Sequence, residues 1–424
     1  MAPAMSRLLI PLLALAACSS LPGSFADEEL YRAAAESNVN QRYTIESIAV
    51  AGIQVDQAKL PNRLRQRMKA LVGKRCDMAA LEDLAGDLRR ELHLQQVSHH
   101  LLRGSEPGRV RVDFDVVRKP VDVSVPKLLY SSRQGFTGEV TASTTLGQNG
   151  FTLGAISNGD DLTERFTGIL ARYENTHFGS DRVHFGIGFE DYHEQWNDAT
   201  KAAAGTNFDL YRSRRNIAPE ITFVVARPLT VSVGASFEQM ESESPAAGAR
   251  SANAVTAEIR YGHKIEGENE QQAVEGKYDI RAGVAGLGSD YSYARHTFSV
   301  RYEVRAGRQS AADEFAAGAI TGNAPMFERF VLGTSSTLRG WDRYMIDPVG
   351  GDRMVHNSLT YGYQFGERTA EIFYDSGALW NLGQPAQLRH SVGVGYRQGV
   401  FVLTMAFPIV QGRVEPVFMA GMNY

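Results

Sequence analysis

The sequence predicts a mainly β protein, namely a transmembrane antiparallel β-barrel that is preceded by one small α/β domain. Three observations support this fold class. The 424 residues contain no run of about 18 apolar residues, which a membrane-spanning helix needs. From residue 136 to residue 424, apolar and polar residues alternate in segments that turn residues separate. Glycine (41 residues), tyrosine (17) and phenylalanine (20) are abundant, which is typical of barrels with aromatic belts.

Residues 1–26 have the pattern of a secretory signal peptide, with Arg7 as the positive end before a short apolar core. Two processing sites are compatible with this pattern. Cleavage after Ala26 would follow small residues on both sides of a phenylalanine. Alternatively, residues 15–18 read Leu-Ala-Ala-Cys, as in a bacterial lipobox, and Cys18 would then be lipidated. Both alternatives predict that the protein leaves the cytoplasm.

Residues 43–119 predict the small α/β domain. The segment 43–50 alternates like a half-buried strand. Two amphipathic helices follow, and Asp77 is the predicted N-cap of the second. Their apolar residues recur at helical spacing: Leu60, Leu64, Met68 and Leu71, then Leu81, Leu84, Leu88 and Leu92. Strands near 97–102 and 110–117 complete the order β-α-α-β-β.

Residues 136–424 predict the barrel. One strand shows the pattern, because Val231, Val233, Ala235 and Phe237 share one face, whereas Ser232, Gly234, Ser236 and Glu238 share the other. An apolar face and a polar face suit a barrel with lipid outside and water inside. Fifteen such strands can be counted, starting at 136–147, and the region 305–325 is ambiguous. Since these barrels have an even number of strands, we predict sixteen. The alternating final strand ends on an aromatic residue, Tyr424, as is usual in outer-membrane barrels.

Two segments of the predicted barrel are more specific than the rest. Residues 330–341 form a glycine-rich loop in which Arg339 stands between a leucine and a glycine. Residues 373–380 form a strand in which Asp375 is the only charged residue among aromatic neighbours. Charges of this kind are costly to bury singly and stable together.

These segments resemble the BamA/TamA-type outer-membrane assembly barrels of the bacterial surface antigen superfamily. The family's aliphatic-Arg-Gly-aromatic loop tip is matched by Leu338, Arg339, Gly340 and Trp341. Its Phe-x-Asp-x-Gly strand is matched by Phe373, Asp375 and Gly377. The resemblance implies that a long loop folds back into the lumen, where Arg339 reaches Asp375. In the same way, residues 43–119 resemble a single polypeptide-transport-associated (POTRA) domain.

The chain departs from this family pattern in three respects. Thr360 stands where a glutamate is usual, and Val402 and Thr404 stand where an arginine and an aspartate are common. The best-known members also carry several POTRA domains. Because Thr360, Val402 and Thr404 carry no charge, the lumen of this chain is expected to hold fewer polar contacts than is usual in the family.

The resemblance implies assembly or secretion of client polypeptides at the bacterial outer membrane, with the POTRA domain in the periplasm. It implies client polypeptides, outer-membrane lipid and lipopolysaccharide, and periplasmic chaperones or accessory proteins as partners. Insertion and secretion use the same architecture, so the residues do not separate them. A purely structural brace is the alternative interpretation of the Arg339–Asp375 pair.

Two other functions are compatible with a barrel. One is a passive outer-membrane channel. The other is a barrel phospholipase, which needs a serine and a histidine side by side on the outer wall. His263 and His296 are available for that role, but neither lies in a hydrolase motif.

Composition and motifs exclude several further classes. With 44 basic and 48 acidic residues, the chain lacks the basic excess of a nucleic-acid-binding protein. The sequence contains no Gly-x-Ser-x-Gly elbow, no phosphate-binding loop and no paired cysteine ligands. We therefore predict no enzymatic activity, no cofactor and no metal site.

Overall fold

A computed structural model describes residues 42–51, 60, 62–92, 94–118, 121–244, 248–266, 270–410 and 415–422. The described residues form two compact units, 42–118 and 121–422. Residues 1–26 with Cys18, and the terminal Tyr424, lie outside the described residues. Among the described helices, none is long and apolar enough to cross a membrane.

The first unit has the predicted order of elements, which are β1 (Thr44–Ala51), α1 (Asn62–Leu71), α2 (Met78–Glu91), β2 (Leu94–Arg103) and β3 (Arg109–Arg118). Strand β3 is central, parallel to β1 and antiparallel to β2. The Asp77 carboxylate accepts a hydrogen bond from the Ala79 N–H (3.0 Å), as expected of the residue that begins α2. Phe114 and Leu84 are fully buried between sheet and helices. This small mixed sheet resembles a POTRA fragment.

The Cys76 thiol is fully buried in this core. Burial raises the pKa of the thiol, and the neighbouring Asp77 carboxylate raises it further, so little reactive thiolate forms. We expect Cys76 to resist maleimide until denaturant opens the unit. Pulse labelling across a urea series, read by mass spectrometry against a Cys76→Ala blank, measures this. Complete labelling without urea would contradict the buried position.

The second unit is a closed antiparallel barrel of sixteen strands, which confirms the predicted number. Strands β11 and β12 both pair with β10 and together make one strand of the barrel. The strands are β4 (Asp122–Ser131), β5 (Gly135–Leu146), β6 (Asn149–Asn158), β7 (Arg165–Asn175), β8 (Val183–Gln195), β9 (Tyr211–Ala226), β10 (Leu229–Ser242), β11 (Ala249–Ser251), β12 (Ala254–Glu266), β13 (Glu270–Gly283), β14 (Ser292–Ala306), β15 (Gln309–Asn323), β16 (Arg353–Phe365), β17 (Arg368–Trp380), β18 (Arg389–Gln398), β19 (Phe401–Pro408) and β20 (Val417–Met422). Short helices in the connections are α3 (Asp198–Ala204), α4 (Arg343–Ile346) and the 3-10 turns Ala285–Leu287 and Met326–Glu328.

The first barrel strand is β4, whereas the sequence placed it at 136–147, which is β5. Strand β4 closes the barrel by pairing with β20. Pro126 lies within β4, and the register of β4 against β5 shifts between Ser124 and Lys127. The clean alternation that reveals the other strands is therefore missing here.

The faces of β10 match the predicted pattern. Ser232, Ser236 and Glu238 are buried, whereas Val233 and Phe237 are 47% and 43% exposed. The exposed side chains lie on the outer surface, where lipid would cover them.

The two ends of the barrel differ in the length of their connections. One end has tight turns, for example 147–148, 307–308 and 399–400. The other end has longer loops, including 196–210 and 324–352. In outer-membrane barrels the short turns face the periplasm.

Candidate functional site

The loop 324–352, here named the lumen loop, connects β15 to β16 and packs against the inner wall of the barrel. Its tip residue Leu338 is fully buried, and its N–H donates to His356 Nε2 (3.1 Å). Leu338 has φ = 40°, the only positive φ outside glycine among the described residues. Such a conformation is unfavourable for leucine, so the surrounding contacts must hold it in place.

Arg339 and Asp375 meet in a two-pronged ion pair. Arg339 donates from Nε to Asp375 Oδ2 (2.8 Å) and from Nη2 to Oδ1 (2.7 Å). Its main-chain N–H also donates to Oδ2 (2.9 Å). The Asp375 side chain is only 1% exposed. The carboxylate is therefore compensated by three donors from one loop residue.

The Arg339 guanidinium rests on an aromatic ring. Its central carbon lies 3.5 Å from the centre of the Phe373 ring. The ring in turn fills the space over Gly393, where a Cβ would lie 2.1 Å from the ring. The Ser391 hydroxyl donates to the Arg339 carbonyl oxygen (2.5 Å). Strands β17 and β18 together thus form the floor and wall of the arginine site.

A serine of β16 bridges the ion pair. Ser358 lies 3.0 Å from Arg339 Nη2, and its hydroxyl donates to Asp375 Oδ1 (2.8 Å). Thr360, the residue singled out from the sequence, lies farther from Nη2 (3.5 Å). The arginine therefore has a single acidic partner among the described residues, together with a hydroxyl that bridges the pair.

The other motif residues have packing roles. Gly340 has φ = 89°, and a Cβ there would lie 2.9 Å from the Ala406 Cβ. The Trp341 indole N–H donates to the His390 carbonyl oxygen (2.8 Å). A Cβ at Gly377 would lie 3.2 Å from the Leu332 side chain of the lumen loop. The motif thus combines one ion pair with close backbone approaches.

A second contact region of the loop tip was not predicted. Asp160, in the β6–β7 connection, binds Ser335 of the tip, and Lys127 of β4 binds Asp160. The available sequence signal was weak, since it consisted of a lone lysine in an irregular strand and an acidic pair in a short loop.

The stem of the lumen loop is held by a third, buried network. Glu328 contacts Arg281 (2.6 Å) and accepts a hydrogen bond from the Tyr293 hydroxyl (3.0 Å). Phe327 packs beside two guanidinium groups, those of Arg214 and Arg281, at 4.7 and 5.7 Å. In the sequence, Arg214 is one of three closely spaced arginines, Arg212, Arg214 and Arg215, and nothing local marks its inward direction.

Replacing Phe327 by alanine should loosen the stem. The change removes a buried ring and two cation–π contacts, for an expected loss of about 3 kcal/mol in the free energy of unfolding. Phe327→Leu keeps most of the apolar volume and should lose clearly less. The urea midpoint of the heat-modifiable gel band measures both variants. Equal midpoints for the alanine variant and the parent would contradict a packed stem.

Below the tip, toward the short turns, the lumen contains a cavity of about 620 Å³. Its wall carries both signs of charge and includes Val402 and Thr404; the charged residues include Arg301, Arg305, Arg397, Glu303, Glu314 and Glu371. Such a wall suits water and polar chains rather than an apolar ligand. Within the part of the chain that the structure describes, no three histidine, cysteine or acidic side chains are arranged to hold a metal ion.

A closed sixteen-strand barrel with a loop docked inside it through an Arg–Asp pair defines a class of outer-membrane barrels with an internal loop. The chain belongs to the Omp85 superfamily, whose domain matches residues 162–410. The resemblance to BamA/TamA-type barrels is thereby confirmed. No curated protein matches the chain significantly.

Solved structures show the same fold. BamA from Haemophilus ducreyi lacking POTRA domains 1–3 matches with a TM-score of 0.56 and 16% identity, over 90% of this chain and 84% of that chain. CdiB from Acinetobacter baumannii matches with a TM-score of 0.51 and 13% identity, over 90% and 74% of the two chains. Membership of the Omp85 superfamily supports, at the family level, protein assembly or secretion at the bacterial outer membrane.

Proposed function

We propose that the protein inserts client polypeptides into the bacterial outer membrane or secretes them across it, and that clients leave through the seam between β20 and β4. The observation that carries this proposal is the short pairing at the seam. Among the described residues, only 419–422 of β20 pair with β4, whereas all fifteen residues of β14 pair with β15. A short ladder is easier to separate than a long one, because fewer hydrogen bonds must break.

The first unit is the proposed site of client entry. Strands β1 and β2 are the outer strands of its sheet, so each offers main-chain groups on one edge. An extended client segment can add to such an edge as a further strand. In this proposal the unit lies in the periplasm, where chaperones or accessory proteins deliver clients, and the barrel contacts outer-membrane lipid and lipopolysaccharide.

Client folding supplies the free energy in this proposal, since the sequence carries no phosphate-binding loop. In this proposal, the docked lumen loop shapes the cavity of the lumen, and a client or its folding intermediate moves through that cavity along the inner wall. The proposal includes lipidation of Cys18 as a membrane anchor, and the mass of the mature N-terminus tests it.

Depletion of the protein, followed by comparison of outer-membrane and secreted proteomes, tests the function. We expect a defined set of barrel or secreted proteins to fall while unrelated envelope proteins stay constant. A passive channel is the second candidate, because the mixed-charge cavity would hold small solutes. Unchanged proteomes together with rapid swelling of liposomes that contain the purified protein would support the channel instead.

The phospholipase alternative has less support from the geometry. His296 Nδ1 lies 2.7 Å from the Tyr278 hydroxyl, and the two rings stack. A nucleophilic serine would have to occupy that position for hydrolysis.

A further inference from the structure

We infer that Asp160 is a positioning residue that anchors the lumen loop on the opposite side of the seam from Asp375, so that the docked loop straps the seam closed. This inference rests on the proposed function only where the seam is taken as the client exit. The contacts that hold β20 and β4 together do not depend on that function.

The order of strands in the barrel places the two anchors on opposite sides. Asp375 lies on β17, which is followed by β18, β19 and β20 up to the seam. Beyond the seam come β4, β5 and β6, and Asp160 lies directly after β6. A loop segment that binds both Asp375 and Asp160 therefore crosses the lumen from one side of the seam to the other.

Asp160 is completely buried and binds the loop with both oxygens. Its Oδ1 accepts the Ser335 main-chain N–H (2.9 Å), and its Oδ2 accepts the Ser335 hydroxyl. Lys127 Nζ also donates to Oδ2 (2.9 Å). Since Lys127 belongs to β4, Asp160 connects the loop to a strand of the seam.

Two further hydrogen bonds reinforce the same side. The Gln134 side-chain amide, between β4 and β5, donates to the Gly333 carbonyl oxygen (2.7 Å). Arg343 Nη1 donates to the Gly159 carbonyl oxygen (2.6 Å). Residues 333–343 of the loop are thus bound beyond the seam at both ends, while Arg339 in their middle is bound to β17.

This arrangement links loop docking to seam closure. Separating β20 from β4 lengthens the distance between the Asp375 side and the Asp160 side of the barrel. A loop that is bound at both Asp375 and Asp160 resists that separation. The loop must therefore break one of the two contacts before the seam opens. The seam itself is held by its four-residue pairing and by a buried apolar contact of Leu129 with Val417 and Met419. The ion pair between Arg133 and Glu415 (3.2 Å) adds little, because the glutamate is exposed to solvent.

Hydrogen exchange of the full-length protein in outer-membrane vesicles or nanodiscs tests the inference. In Asp160→Ala, amides of peptides that cover 128–131 and 417–422 should exchange about tenfold faster than in the parent, because the open seam is more populated. Amides of the long β14–β15 hairpin should not change. Asp160→Asn keeps an oxygen for the Ser335 N–H and should give a smaller increase.

A matched control removes a loop contact away from the seam. Thr200 donates its hydroxyl to the Pro348 carbonyl oxygen (2.7 Å), and Thr200→Val should leave seam exchange at the parent level. A disulfide between Tyr130→Cys and Ala420→Cys, which are register partners, should cancel the effect of Asp160→Ala. Cys76→Ala serves as the background for that variant.

Two results would overturn the inference. One is seam exchange in Asp160→Ala that equals the parent's, and the other is an equal increase in the β14–β15 hairpin, which would indicate general loss of stability. If Asp160→Ala gives no folded, heat-modifiable band, Ser335→Ala, which removes one hydroxyl, takes its place. The assay needs no client, so its outcome is independent of the depletion test of function.

Discussion

Arg339→Ala and Asp375→Ala should each lower the stability of the docked lumen loop by about 3 kcal/mol. The physical reason is that each change leaves a charge without its partner in a buried site. Asp375 loses two side-chain donors in Arg339→Ala. In Asp375→Ala, the Arg339 guanidinium keeps the Phe373 ring and hydroxyl groups as neighbours but no carboxylate. The urea midpoint of the heat-modifiable band measures the loss.

The double variant should lose less than the sum of the two single changes. Once one partner is absent, removing the other no longer creates an orphaned charge, so a coupling of about 1–3 kcal/mol is expected. Ser358→Ala is the matched control, because it removes one hydroxyl beside the pair and should cost about 1 kcal/mol. Strict additivity of Arg339→Ala and Asp375→Ala would show that the two residues do not stabilise each other.

Exchanging the two charges should restore little. Asp375 also accepts the main-chain N–H of Arg339, and an arginine at position 375 offers no acceptor for that group. The fork of an arginine at 375 would also have to match a carboxylate on the loop rather than on the wall. Recovery of the parent midpoint by the exchange would indicate that charge alone, without geometry, determines the contact.

The fold was largely predictable because alternation is a local signal. Ser232 to Glu238 show it within seven residues, and the barrel follows from its repetition. The first strand was missed because Pro126 and the register shift near Lys127 remove the alternation. The hairpin around 305–325 was ambiguous because β15 is rich in alanine, which marks neither face strongly.

The site was only half predictable, for a related reason. The Arg339 side of the loop tip carries a compact sequence motif, so a resemblance could indicate it. The Asp160–Ser335 contact joins residues 175 positions apart with ordinary side chains. Glu328 and Phe327 likewise acquire their partners through the closure of the barrel. No local pattern encodes such pairings, and only the three-dimensional arrangement shows them.

Gly340→Ala should destabilise loop docking more than conformational strain alone explains. With φ = 89°, alanine at this position is strained by about 1–2 kcal/mol. Its Cβ would also lie 2.9 Å from the Ala406 Cβ and 3.1 Å from Pro408 Cδ, so the tip must move away from β19. The crowded packing adds about 1–3 kcal/mol to the loss. The movement of the tip also shifts the neighbouring Arg339 out of alignment with Asp375.

Gly383→Ala separates the two contributions. Gly383 has a similar φ of 85°, but no atom lies within 4 Å of the position that a Cβ would occupy. The urea midpoint of Gly383→Ala therefore measures backbone strain without crowding. The further decrease of the midpoint in Gly340→Ala measures the close approach to β19. In an Arg339→Ala background, where the tip is already loosened, Gly340→Ala should cost little more than Gly383→Ala does. Equal losses for the two glycine changes in the parent would mean that the tip does not press against β19, and the glycine of the Leu-Arg-Gly-Trp tip would then serve the turn alone.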